Sequence, residues 1–343
     1  MKLNYTLFVA LFFLLLTVNA QDTEETPKGK VTGKVFFNYH LDLTEGAEQD
    51  GAFELNRSYL GYQYKINNKF TAKILLDAGK GSGGSDYTLF IKNAKLDYKA
   101  SSNLTLTAGI FGLKQFKDQE KIWGYRYLYK ALADEYKFGT SADLGVMAEI
   151  KASDKIKITV LIVNGEGFKR LQDQTGNNRY GINIVYEPIK NITLKAYVDT
   201  MKGLDIDTEE DVEKETTVTN YAFFAGYKTS KFRIGAEYNL MQNGVTFNKP
   251  SEDKDLQGLS FYATYNINEK WNVFGRFDEL SSNTLSGETI NWNFSKDVST
   301  YIAGVEYRVI KGINTSLNVR YFDFKDTSIN EETLVYLNLE FFF

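Results

Sequence analysis

The last eleven residues, Thr333–Phe343 (TLVYLNLEFFF), constrain the whole chain. Counting back from Phe343 by twos passes through Phe341, Leu339, Leu337, Val335 and Thr333. The intervening Phe342, Glu340, Asn338, Tyr336 and Leu334 form a mixed, partly charged set. Side chains alternate across a strand with period two, so this is a strand with one apolar and one wetter face. In water, such a strand at a chain end is an aggregation-prone edge. In a bilayer, a closed barrel removes the edge by pairing every backbone group with a neighbouring strand.

The same alternation recurs upstream. Ile313, Thr315, Leu317, Val319 and Tyr321 alternate with Asn314, Ser316, Asn318 and Arg320; Phe232, Ile234, Ala236, Tyr238 and Leu240 alternate with Arg233, Gly235, Glu237 and Asn239. Sixteen candidate strands begin near residues 30, 53, 69, 88, 103, 141, 155, 178, 191, 217, 231, 257, 270, 297, 312 and 332. Seven connectors are tight and polar, KINNK at 65–69 and NINEK at 266–270 among them, and they alternate strictly with eight longer ones. A β-sandwich accounts for alternation but not for two connector lengths on opposite rims; a transmembrane antiparallel barrel with short periplasmic turns and long outer loops accounts for both. Tyr62, Tyr64, Phe70, Tyr227, Phe232, Tyr265 and Trp271 stand on the apolar face beside the short turns, where aromatic girdles meet the bilayer interface. The fold expected is all-β, a barrel of about 16 strands over residues 21–343, reached through a seam near Val31–Tyr39 that closes the last strand onto the first.

Met1–Ala20 reads as a secretory signal: Lys2, an apolar core from Leu7 to Leu16, then small residues before the cut. Removing it takes one lysine from the 40 basic residues and leaves 39 against 44 acidic ones, a balance that gives nucleic-acid binding no support. There is no Cys, hence no disulfide framework, and the one His lacks the convergent partners of a metal site, so neither metal nor cofactor is expected.

A barrel of this size is too wide for its own side chains to fill, which leaves an aqueous channel for small hydrophilic solutes. The longest connector, residues 112–140, is the third outer loop, and its length and aromatic content predict that it folds into the lumen as a constriction. Lys121, Arg126 and Lys130 are its candidate pore residues. Trp123, Tyr125, Tyr127 and Tyr129 either stack on sugars or anchor the loop to the wall. Register turns six of the eight arginines inward, Arg57, Arg179, Arg233, Arg276, Arg308 and Arg320, together with Lys73 and Lys95. An inward row of guanidinium groups suits an anion pathway, and equally suits wall-stiffening ion pairs with inward acids such as Asp77, Asp199, Asp278 and Glu306. The acidic stretch 205–215 is a solvated loop that divalent ions or lipopolysaccharide could meet, and GKGSGGSD at 79–86 reads as a flexible loop.

Three segments, NRSYLGYQYKINNKFTAKILLD (56–77), IKNAKLDYKASSNLTLTAGIFGLKQF (91–116) and ADLGVMAEIKASDKIKITVLIVNGEGF (142–168), resemble the phosphate-selective porin family that contains porins O and P. The resemblance covers about a third of the chain and implies a sixteen-stranded, often trimeric pore with an infolded third loop and a preference for anions such as phosphate. The chain departs from the family in having no Pro after the fifth strand and a charge-mixed third loop. Two other classes compete: a non-conducting adhesion or structural barrel, and a barrel phospholipase, which would need a Ser–His pair built on His40. A plug-bearing receptor is excluded by the absence of a plug before the first strand. The terminal Phe343 resembles the signal read by outer-membrane barrel assembly machinery. Outer-membrane lipid and lipopolysaccharide are the remaining expected partners.

Overall fold

Short runs of alternating residues joined by polar turns become, in the computed structural model of the chain, one closed antiparallel barrel. The structure describes residues 28–47, 51–80, 87–171, 176–206 and 214–343. The expected signal, most of the acidic stretch 205–215 and most of 79–86 lie outside the described residues. The strands are β1 (Lys28–Asp42), β2 (Gly51–Lys65), β3 (Phe70–Lys80), β4 (Tyr87–Lys99), β5 (Leu104–Gly112), β6 (Ala142–Lys151), β7 (Ile156–Val163), β8 (Arg179–Tyr186) and β9 (Ile192–Leu204). They continue with β10 (Glu215–Lys228), β11 (Phe232–Gln242), the short pair β12 (Gly244–Thr246) and β13 (Lys249–Pro250), β14 (Leu256–Asn266), β15 (Trp271–Ser282), β16 (Val298–Ile310), β17 (Ile313–Phe324) and β18 (Glu332–Phe342). All but β12 and β13 belong to the barrel, which makes sixteen staves. Every start agrees with the alternation to within two residues. The β12–β13 hairpin, inside an outer connector, is an element that the alternation does not foreshadow.

Burial runs opposite to that of a water-soluble sheet. On β11, Phe232, Ile234 and Tyr238 are 43%, 45% and 37% exposed, whereas Glu237 and Asn239 are 2% and 0% exposed. The apolar face is turned to lipid and the polar face to the lumen. Four of the seven short turns share one device. The Asn67 side-chain oxygen accepts from the backbone N–H groups of Lys69 and Phe70 at 2.9 and 2.8 Å, and Asn268 accepts from Lys270 and Trp271, both at 2.9 Å. Ser153 and Thr229 do the same through a hydroxyl. A short polar side chain that bonds two or three residues ahead offers the backbone a turn in place of a longer strand.

The seam pairs β1 with β18, from Lys34 opposite Phe342 to Asp42 opposite Leu334. Phe343 extends it: Gly33 donates to its oxygen and accepts from its N–H, both at 3.1 Å. The Phe343 ring lies where a β-carbon on residue 33 would stand, so a side chain there would displace the ring. Deleting Phe343 removes both bonds and this contact. We expect a loss of roughly 1–3 kcal/mol, read as a lower urea midpoint and a smaller heat-modifiable folded fraction, with conductance of the folded fraction unchanged.

Candidate functional site

Residues 113–141 leave β5 and lie against the inner wall. They carry two short helices, α1 (Lys117–Trp123) and α2 (Leu132–Glu135). Asp118 and Glu120 stand in the first turn of α1, where the helix dipole favours negative charge. The helix ends at Gly124, whose φ of 73° is the left-handed conformation and whose N–H caps the Glu120 carbonyl at 2.8 Å. A side chain at 124 would also meet the Arg233 guanidinium, which would have to move aside. Trp123, Tyr125 and Tyr127 are buried and Tyr129 nearly so. They pack with Phe224, Tyr262, Phe274 and Ile302 of the wall, so they anchor the loop and offer no face to a sugar.

Charged wall residues hold the loop by its backbone. Arg276 grips Asp278 with two bonds of 2.8 and 2.6 Å and donates a third, at 2.8 Å, to the Lys130 carbonyl. Arg320 donates to the Leu128 carbonyl at 2.9 Å. Lys195 donates to the carbonyl of Gln115 at 2.8 Å and to the Gln119 side chain at 3.0 Å, and pairs with Asp118 at 3.4 Å. Arg233 lies 4.5 Å above the Tyr125 ring, and Tyr262 and Tyr127 donate to the Gln119 carbonyl and to Glu306, each at 3.1 Å. Arg179 is spent on Asp199 and on the carbonyl of Phe247, which ties the turn of the β12–β13 hairpin to β8. The inward arginines of β8, β11, β15 and β17 therefore serve the loops, while Arg308, half-exposed near the inner rim, faces Glu306 at 3.5 Å.

Two of the three expected pore residues of the loop are themselves paired, and Lys121 is in no ion pair among the described residues. Arg126 bridges Glu120 and Asp134, both at 3.1 Å, and Lys130 meets Glu135 at 3.0 Å. Burial works against charge on Asp134, but Arg126, with Lys130 and Lys92, outweighs it and holds the carboxyl below the ordinary range.

Across from the loop stands the wall of β1 to β5, and the lumen stays open there. A cavity of about 1020 Å³ is lined by Lys30, Lys34, Lys92, Lys117, Lys121, Arg126 and Lys311, with Glu120 as its one carboxylate. A second, of about 560 Å³, is lined by Lys69, Lys73, Lys95, Lys99, Lys114 and Lys117, with Asp97 and Glu149. Asp77 is shared between Arg57 at 3.4 Å and Lys92 at 3.3 Å, and Lys95 meets Asp97 at 2.8 Å. Among the described residues no ion pair holds Lys30, Lys73, Lys121 or Lys311.

Lys92 is the residue that strict alternation misses. The β3–β4 register passes from Leu75 opposite Asn93 to Leu76 opposite Ile91, so Lys92 is the extra residue of a bulge, and the bulge turns Lys92 and Phe90 inward. The signal is present in LFIKNAKL: the apolar phase runs through Leu89 and Ile91, then resumes three residues later at Ala94 and Leu96. His40 lies on the lumen wall, its Nδ1 3.3 Å from Asn38 and its ring 5.3 Å from Tyr336, so it is not on the lipid face that a barrel phospholipase would need. No cluster of potential metal ligands occurs among the described residues.

Residues 136–343 match the family model described as beta-barrel porin-2, OmpL-like. The chain belongs to this porin family. No curated protein matches it. Among solved structures it is similar to OmpF of Salmonella typhi, in complex with daunomycin, at 15% identity over 92% of this chain and 98% of that one, with a TM-score of 0.70. An anion-selective porin from Comamonas acidovorans is 11% identical over 92% and 100%, TM-score 0.64. The trimer form of Vibrio cholerae OmpT is 12% identical over 93% and 100%, TM-score 0.63. At these identities the likeness is one of fold. This OmpL-like porin is an outer-membrane barrel of a Gram-negative cell. The resemblance to phosphate-selective porins lies mainly outside the matched region, in residues 56–168.

Arg276→Leu would leave Asp278 buried and unpaired and free the Lys130 carbonyl. We expect a stability loss of about 3–5 kcal/mol and, in channels that still form, a noisier open-state current. The lowered Asp134 carboxyl contributes stability above its unfolded range, ~3.9, and loses it as pH falls through the depressed folded value. Open-channel noise should therefore stay flat from pH 7 to below the usual aspartate range and rise only in stronger acid.

Proposed function

We propose that this porin is a passive channel for small hydrophilic solutes with a preference for anions. The observation that carries the reading is charge separation across the lumen. Where the loop is docked, cations are consumed by carbonyl and carboxylate oxygens. Where the lumen is open, seven lysine and arginine residues line the larger cavity with one carboxylate. Lys34, Lys92 and Arg126 also pair with Glu340, Asp77 and Asp134, and Lys30, Lys121 and Lys311 are in no ion pair among the described residues. Low-dielectric walls focus the potential of such a surface and raise the local concentration of counter-ions. The loop and the wall of β2 to β4 form the constriction, with Lys121 and Lys92 as its unclamped and half-clamped charges and Arg126 fixing the loop edge. Phosphate is one anion this surface suits. The same reading takes residues 1–20 as a cleaved signal, Phe343 as the mark recognised during assembly, lipid and lipopolysaccharide as the surroundings, and a homotrimer, the form in which one fold relative is described, as the assembly.

Cavities on this scale argue against a plugged adhesion barrel. In planar bilayers under a potassium chloride gradient, the reversal potential should report anion selectivity, and Lys117→Gln with Lys121→Gln should shift it several-fold towards cations without closing the pore. Cation selectivity of the unaltered channel would refute the anion preference, and absence of conductance would refute the channel.

A further inference from the structure

The open side of the lumen carries more than charge. Three ammonium groups, two on the inner wall and one, Lys169, in the connector after β7, rest on aromatic rings. Nearest the outer mouth, Lys169 lies 5.0 Å from the centroid of Phe90, whose ring meets Phe168 edge-on at 6.2 Å. At mid-height Lys92 lies between two rings, 5.1 Å from Phe168 and 5.0 Å from Tyr59. Tyr59 packs edge-to-face with Phe36 at 5.8 Å. Towards the inner mouth Lys34 spans Phe36 at 5.7 Å and Phe342 at 5.3 Å. It also pairs with Glu340 at 3.0 Å, as Lys92 does with Asp77, so an incoming carboxylate shares each ammonium group with a wall carboxylate. Ring and ammonium thus alternate along the wall at the edge of the docked third loop, whose Tyr127 ring lies 6.4 Å from that of Phe36. Phe36, Tyr59, Lys92, Lys34 and Phe342 all line the cavity of about 1020 Å³, a volume ample for a small organic molecule.

Inorganic anions need only the lysines. Rings placed between them add nothing for phosphate or chloride, since an aromatic face carries negative charge. An aryl carboxylate uses both elements: its carboxylate meets an ammonium group while its ring packs edge or offset face against Tyr59 or Phe342. Because the unit repeats, such a solute can pass from one ammonium–ring step to the next without full rehydration, and conduction needs several moderate sites of this kind. We infer that the preferred solutes of this channel are organic anions that carry an aromatic ring, with aryl carboxylates as the simplest members. The inference rests on the anion-channel reading and narrows it.

The test is the chloride current of the reconstituted channel in the presence of benzoate, cyclohexanecarboxylate or acetate. An aromatic pair contributes about 0.5–1.5 kcal/mol beyond area burial, equivalent to a ~2–12-fold change in affinity. Benzoate should therefore half-block at a concentration lower than cyclohexanecarboxylate by a factor in that range, and acetate should block least. Tyr59→Leu should abolish the difference between the two ring-bearing acids while keeping anion selectivity, and Tyr59→Phe should retain it. Equal half-block by both acids in a channel that remains anion-selective overturns the aromatic inference alone, as does a Tyr59→Leu channel that still discriminates. A cation-selective or non-conducting channel overturns the parent reading as well.

Discussion

Everything in this molecule depends on closure of the backbone ladder. In the hydrocarbon layer an unpaired N–H or C=O costs several kcal/mol, so a sheet can cross only when its first and last strands find each other. Here they meet through nine paired positions and the two Phe343–Gly33 bonds, which carry the pairing to the last residue of the chain. Once the ring is closed, one face of every strand must satisfy lipid and the other must satisfy water, and the alternation of the sequence follows from that division. Stability then comes from the ladder and from the inner face, where Asn, Asp, Glu and Arg bind one another across neighbouring strands.

Closure also creates the difficulty that the third loop resolves. A sixteen-stranded ring leaves more space than its inward side chains fill. The loop fills part of it with Trp123, Tyr125 and Leu132 while keeping its own backbone bonded. A loop buried without partners would be expensive. The carbonyls of Gln115, Gln119, Leu128 and Lys130 are met instead by Lys195, Tyr262, Arg320 and Arg276, each on a different strand. The asymmetry of the lumen follows: the docked side is charge-satisfied and dry, and the opposite side is left cationic and wet.

Much of this was legible in the residues. The strands, their starts and the two rims follow from period-two alternation and from turn residues such as Asn67 and Asn268, because both are local chemistry. The inward direction of Arg276 and Arg320 follows as well. What each arginine holds does not, because Lys130 and Leu128 are brought to them by the path of a distant loop. Lys92 escaped strict alternation for a different reason. One extra residue in β4 reverses the phase, and everything on the outer side of the bulge changes face, Phe90 included. The phase jump from Ile91 to Ala94 marks it, but only when the strand is read as two short runs instead of one.

The division of labour between the two kinds of cation is chemical. A guanidinium stays charged when buried and presents several donors in a fixed plane, so Arg276 can hold Asp278 and a backbone carbonyl at once without adjusting. That rigidity suits an anchor and would suit a conducting site poorly, because a bidentate partner leaves slowly. An ammonium on a flexible stem is strongly hydrated and exchanges its partners easily, and every cation lining the two open cavities except Arg126 is a lysine. Lys195 departs from this pattern in a way that supports it. Its ammonium is withdrawn from the channel and enclosed by three oxygens from residues 114, 115 and 119, so it behaves as an anchor because its surroundings, rather than its own geometry, supply the rigidity. Position on the wall therefore decides whether a cation holds the loop or meets a solute. Those beneath the docked loop bond its backbone and side chains, and those facing the gap are paired with single wall carboxylates or, like Lys30, Lys121 and Lys311, are in no ion pair among the described residues.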